Sequence, residues 1–157
     1  MEEETKQELP TIVVGVDGSP QSKDALRWAV DEAKLRGATL HVVQAWHEAA
    51  GLWANPVGPA VGAVAWPEHE LAEEARATLR ETIKETLGDP VGVELRASVA
   101  VGSPAKALVD TADADHADLL VVGSRGRGGF RSLLLGSVSE QVVTHAHCPV
   151  AVIRHAA

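Results

Sequence analysis

Aromatic residues are scarce in this chain: one phenylalanine, four tryptophans and no tyrosine among 157 residues. The core must therefore be aliphatic, and Val, Leu, Ile and Ala must supply most of the 45% hydrophobic share. A single cysteine, Cys148, excludes an intrachain disulfide and fits a reducing, cytoplasmic setting. No apolar run is long enough for a membrane-spanning helix. The opening MEEETKQELP lacks the apolar stretch of a secretory signal, so no membrane partner is expected. Positive charge is also scarce: 14 Lys and Arg stand against 22 Asp and Glu, for a net charge of −8. Phosphate backbones repel such a chain as a whole, which excludes nucleic acid as a general partner but leaves room for a local anion site.

What is present is alternation. Residues 1–10 are polar, end in Pro10 and read as a disordered acidic lead-in. Residues 11–157 have the length of one domain. Ile12 to Val16 form an unbroken β-branched run, the pattern of a strand buried on both faces of a parallel sheet. Ser19 and Pro20 then open a helix as N-cap and first helical residue, and Gly37 closes it. Strands are predicted at 38–46, 91–100, 118–124 and 149–154, with helices at about 68–87, 104–114 and 137–146. Ser137-x-x-Glu140 matches a capping box. Residues 47–66, rich in Gly, Pro and Ala, read as a long loop bracketed by Trp46, Trp53 and Trp66, which are taken to pack locally. Five strands alternating with four helices predict an α/β fold, a doubly wound parallel sheet of Rossmann-like type. Such sheets bind ligands beyond the carboxyl ends of their strands.

Two segments fall at such ends. One is Gly15-Val16-Asp17-Gly18-Ser19, after the first strand. The other is GSRGRGGFRSLLLGS, residues 123–137, after the fourth. Glycines let backbone amides approach an anion, a helix start attracts phosphate, and Arg125, Arg127 and Arg131 bring positive charge. A Walker loop requires Gly-Lys, which occurs nowhere in the chain. The G-x-G-x-x-G dinucleotide pattern fails at Arg131 and follows the wrong strand. What remains is Gly123-x2-Gly126-x9-Gly136-Ser137. His145-x-His147-Cys148 lacks a partner pair at zinc spacing and reads as a helix C-terminus, so no metal ligands are assigned among the side chains. Neither Ser19 nor Ser124 has an identifiable base, so no catalytic residue is assigned.

This glycine spacing resembles the ATP-binding signature of universal stress proteins. The resemblance extends through VVGVDGS, LHVVQAW, GSPAKALV and the closing CPVAVIR. It implies an adenine nucleotide alpha hydrolase-like fold binding ATP, with Mg²⁺ bridging the phosphates. Under it, Asp17 takes the ribose hydroxyls, Ala45 meets the adenine edge through its backbone, and Gly15, Val16 and Val122 flank the base. Gly123 and Gly126, with Ser124 between them, admit the phosphates. Gly136, Ser137, Val138 and Ser139 hold the α- and β-phosphates, and Arg125 and Arg127 stand near the γ-phosphate. It also implies a homodimer through the strand at 149–154, whose open edge needs cover. Three functions stay open: a nucleotide-responsive stress module with slow or no hydrolysis, an ATPase or phosphoryl-transfer enzyme, and a nucleotide-free dimeric interaction protein.

Overall fold

Ile12, Val14 and Val16 turn to one side of strand β1 (Thr11–Val16), and Val13 turns to the other. A strand apolar on both sides needs cover on both sides, which places it in the middle of a two-faced sheet. The structure, a computed structural model, describes residues 8–46, 68–89, 92–126 and 134–155. Within them the chain continues through α1 (Pro20–Arg36), β2 (Thr39–Trp46), α2 (Glu68–Leu87) and β3 (Leu95–Val101). It finishes with α3 (Pro104–Ala114), β4 (Leu119–Gly123), α4 (Ser137–His145) and β5 (Val150–Ile153). The five strands are parallel, in the order β3-β2-β1-β4-β5. This is the predicted doubly wound sheet.

Leu26, Ala29 and Ala33 of α1 and Leu79 of α2 pack on one face against Ile12, Val14, Leu40, Val42 and Val121. Ala105, Leu108 and Ala112 of α3 and Val142 of α4 cover the other face, against Val13, Val43, Leu120 and Val122. The scarcity of rings explains the many small aliphatic contacts: close packing is reached with Val and Ala instead of large anchors. Among the described residues, no helix is long and apolar enough to cross a membrane.

Local signals acted largely as read. Ser19 accepts a hydrogen bond from the Ser22 amide at 3.2 Å, and Gly37 ends α1 at a left-handed φ of 62°. Two boundaries differ. Strand β3 begins at Leu95 instead of 91, because Gly92 takes a positive φ of 76° and turns the chain before the ladder forms. Helix α4 is capped by Gly136, not by Ser137, so Ser137 is already helical and the expected capping box is out of register. The loop at 47–66 lies outside the described residues, as does most of the lead-in.

Leu26 has no exposed surface, whereas Leu35 on the same helix is 83% exposed. Leu26→Ala is expected to cost about 3 kcal/mol through lost burial and a residual cavity. Leu35→Ala should change stability by less than about 0.5 kcal/mol. Urea unfolding of both variants checks the contrast, and equal midpoints would refute the packing described.

Candidate functional site

In a parallel sheet each helix starts near the carboxyl end of the strand before it, so helix N-termini gather on one rim. Here the rim is split between β1 and β4. These strands pair side by side, yet β1 leads into α1 on one face and β4 leads toward α4 on the other. A cavity of about 450 Å³ opens in the crevice between them. That volume lies in the range of small-molecule sites.

Asp17, just beyond β1, is fixed in the crevice by its neighbours. Its Oδ1 accepts from the Ser19 amide at 2.8 Å, and its own amide donates to Ser22 Oγ at 3.3 Å. Ser22 in turn donates to the Ser19 carbonyl at 2.9 Å. The carboxylate is thereby aimed across the rim toward Gly126. A Cβ on Gly126 would lie 2.8 Å from Asp17 Oδ2.

The other glycines are equally confined. A Cβ on Gly15 would meet Leu108 Cδ1 at 2.6 Å, and one on Gly123 would meet the backbone carbonyl carbon of Gln21 at 2.9 Å. The ends of the segment between β4 and α4 are clasped together. The Ser124 carbonyl accepts both the Gly136 amide at 2.7 Å and the Ser139 hydroxyl at 3.0 Å. A Cβ on Gly136 would crowd Arg125 Cα at 3.2 Å. The first helical bond of α4 runs from the Glu140 amide to the Gly136 carbonyl. The amides of Ser137, Val138 and Ser139 precede that first bond, and their N-cap, Gly136, has no side chain with which to cap them. Together with the helix dipole they form an anion-attracting turn on the cavity wall.

Val43, Val122, Pro104 and Leu108 make the apolar part of the lining. Asp17 and Arg125 are the charged residues among the described lining, one carboxylate and one guanidinium. The cavity thus brings together apolar side chains, a carboxylate held by a backbone amide and a glycine-shaped amide turn.

The sequence profile of the universal stress protein family matches residues 9–154. The chain belongs to this family. It is 38% identical over 143 residues to a universal stress protein of Mycolicibacterium smegmatis, an alignment covering 91% of this chain and 45% of that one. The chain thus spans about half the length of that relative. A universal stress protein solved in complex with cAMP is 29% identical, with a TM-score of 0.64 over 94% of this chain and 98% of its own. One from Archaeoglobus fulgidus in complex with dAMP is 27% identical, with a TM-score of 0.63 over 92% of this chain and 97% of its own.

For this universal stress protein, the cavity gathers Gly15, Val16, Asp17, Ala45, Val122, Gly123, Arg125, Gly126, Gly136, Ser137, Val138 and Ser139, all anticipated from sequence. Ser124 is not on the lining: it is buried and serves as the clasp. Arg127 lies outside the described residues. The Gly136 amide and the Ser139 hydroxyl are turned to protein acceptors, so they shape the turn and leave the presentation of donors to the amides. Ser22, Val43, Pro104 and Leu108 were not anticipated. Of these, Pro104 and Leu108 fall in the segment GSPAKALV that carried the family resemblance, and Val43 in LHVVQAW, but none was given a role at the site.

His147 pairs with Asp113, its Nδ1 2.9 Å from Oδ2. Burial, reinforced by the charge of Asp113, pushes the Cys148 thiol above its ordinary range, which makes it a poor metal ligand. Among the described residues no three His, Cys, Asp or Glu side chains group to hold a metal.

The glycines predict two distinct outcomes in this family member. Gly123→Ala drives a Cβ into the backbone of α1, which cannot swing aside, and should cost about 2 kcal/mol. Gly126→Ala meets a side-chain oxygen of Asp17, which can shift where a backbone cannot, and should cost less than Gly123→Ala. Urea unfolding measures both; a Gly123→Ala midpoint equal to wild type would contradict the close approach.

Proposed function

We propose that this universal stress protein is an ATP-binding module that responds to its nucleotide and hydrolyses it slowly or not at all. One observation carries the reading. One cavity at the reversal of strand order is lined by apolar side chains, by a carboxylate that the Ser19 amide holds and by the anion-attracting amide turn of α4. An adenine nucleotide has the matching sequence of parts: a flat base, a pentose with hydroxyls and a chain of phosphates. The relatives solved with cAMP and dAMP share a base, a pentose and a phosphate, which supports the match.

Each residue then has a task. Gly15, Val16, Val43, Val122 and Leu108 sandwich the base, and the backbone of Ala45 meets its edge. Asp17 accepts from the ribose hydroxyls, since a carboxylate accepts two hydrogen bonds well. Gly123 and Gly126 leave space for the phosphates, and the amides of Ser137, Val138 and Ser139 hold the α- and β-phosphates. Arg125 neutralises the outer phosphate. Mg²⁺, held chiefly by phosphate oxygens and water, would screen the charge of the triphosphate.

Slow turnover follows from the same lining. Asp17 is held by the Ser19 amide at the ribose end, and the other charged residue of the described lining is Arg125. Neither is placed to take a proton from a water at the γ-phosphate. We further propose a homodimer through the strand at 149–154, whose β5 is an edge strand in the sheet order.

Isothermal titration with ATP and Mg²⁺ should give one site per chain, and an absence of binding by wild type would sink the reading. Gly136→Val, which pushes a side chain into Arg125 and the turn, should weaken ATP by about 100-fold, roughly 2.7 kcal/mol. Phosphate release well above background would establish the enzyme instead, and an empty site in native mass spectra of gently purified protein would favour the interaction protein. Light scattering should give about twice the 16.5 kDa chain mass.

A further inference from the structure

Asp115 is the C-cap of helix α3, and β2 and β3 run side by side in the sheet that the helix covers. Val43 of β2 packs toward α3, and His41, two residues earlier, shares that face. Ser98 of β3 is the register partner of Val43 and turns to the same side. The three polar residues meet there. His41 Nδ1 lies 2.5 Å from Asp115 Oδ2, and His41 Nε2 lies 2.7 Å from Ser98 Oγ.

The direction of these bonds is set by chemistry. A carboxylate accepts only, so with a single ring hydrogen on His41 that hydrogen sits on Nδ1. Nε2 is then the acceptor, and the Ser98 hydroxyl donates to it. A hydroxyl, a base and a carboxylate that orients the base stand in line, each supplied by a different element. His41 is only 8% exposed, while Ser98 at the sheet edge is half-buried. Arg96 Nη2, 3.3 Å from the same Asp115 oxygen, helps hold the carboxylate in place. An aliphatic side chain would fill the position of His41 without the cost of burying a polar ring.

The edge also supplies donors. The Leu40 amide bonds to the Glu94 carbonyl, so in this parallel ladder Arg96 and Ser98 turn their amides toward β2. Ala97 and Val99 turn theirs outward, and no described strand lies beyond β3. Amides flanking a nucleophile are the donors that a developing oxyanion requires.

We propose that Ser98, His41 and Asp115 form a second site, a nucleophilic serine acylated by small carboxylic esters. Ser98 Oγ bonds to the ester carbonyl carbon as its proton passes to His41 Nε2. The bond from that carbon to the alkoxy oxygen breaks, and the departing oxygen takes the proton from Nε2. Water then repeats the sequence on the acyl-serine: its proton goes to Nε2, its oxygen bonds to the acyl carbon, and Ser98 leaves with the proton restored. The acid is released, and no oxidant or cofactor is required. The site uses none of the nucleotide contacts, so its failure would leave the ATP reading untouched.

The test is covalent labelling of the full chain with a fluorophosphonate, read by intact mass and peptide mapping. One adduct on Ser98, with loss of fluoride, is expected in wild type. Ser98→Ala should abolish it, and His41→Gln should slow it by about 100-fold, the contribution of a positioned general base. Should His41→Gln fail to match wild type by circular dichroism, Asp115→Asn serves in its place, with slowing again expected. Unlabelled Ser98 in folded wild type, an adduct on a different serine, or undiminished labelling in a folded base variant would each overturn the proposal.

Discussion

Everything at the rim follows from the pairing of β1 with β4. Strands far apart in sequence lie in register, Ile12 against Leu119 through Val14 against Val121. Because the chain leaves them toward opposite faces, the rim parts and a crevice opens. The pairing requires apolar side chains on both faces of both strands, which the runs at 12–16 and 119–122 supply. Asp17 and Gly123 stand one step beyond those runs, so burial of the strands is also what aims the carboxylate and the glycine turn at one another.

The fold was legible because punctuation and periodicity agreed. Ser19-Pro20 and Gly37 marked the two ends of α1, which the helix respects. The glycines of the site were legible too, since a glycine held by close approach leaves a fixed spacing in the sequence. Contacts made by ordinary residues left no such mark. Leu108 closes over Gly15, yet it reads as one more apolar position of a helix. Capping by Gly136 overrode the serine pattern because the Ser124 carbonyl takes the Gly136 amide and sets where α4 begins. The network of His41, Ser98 and Asp115 joins residues 57 and 74 positions apart, and only the sheet register brings them together.

Electrostatics are divided by range. The chain as a whole is acidic, with a net charge of −8. At physiological salt that field fades over about 8 Å, whereas helix amides act within a single turn. The crevice can therefore favour an anion inside a protein that repels anions at a distance. Arg125, on the cavity lining, strengthens the local term. Such a division disfavours polyanions, which must face the whole surface, relative to a small ligand that enters the crevice.

The Ser124 carbonyl holds Gly136 and Ser139 at once, so the intervening segment leaves and rejoins the body at fixed points. Chain length between fixed points adds only a slowly growing closure entropy, about 0.6 kcal/mol per doubling. The wall that Gly136 and Ser139 form is accordingly set by their bonds to the end of β4, and changes of chain length elsewhere should leave it in place.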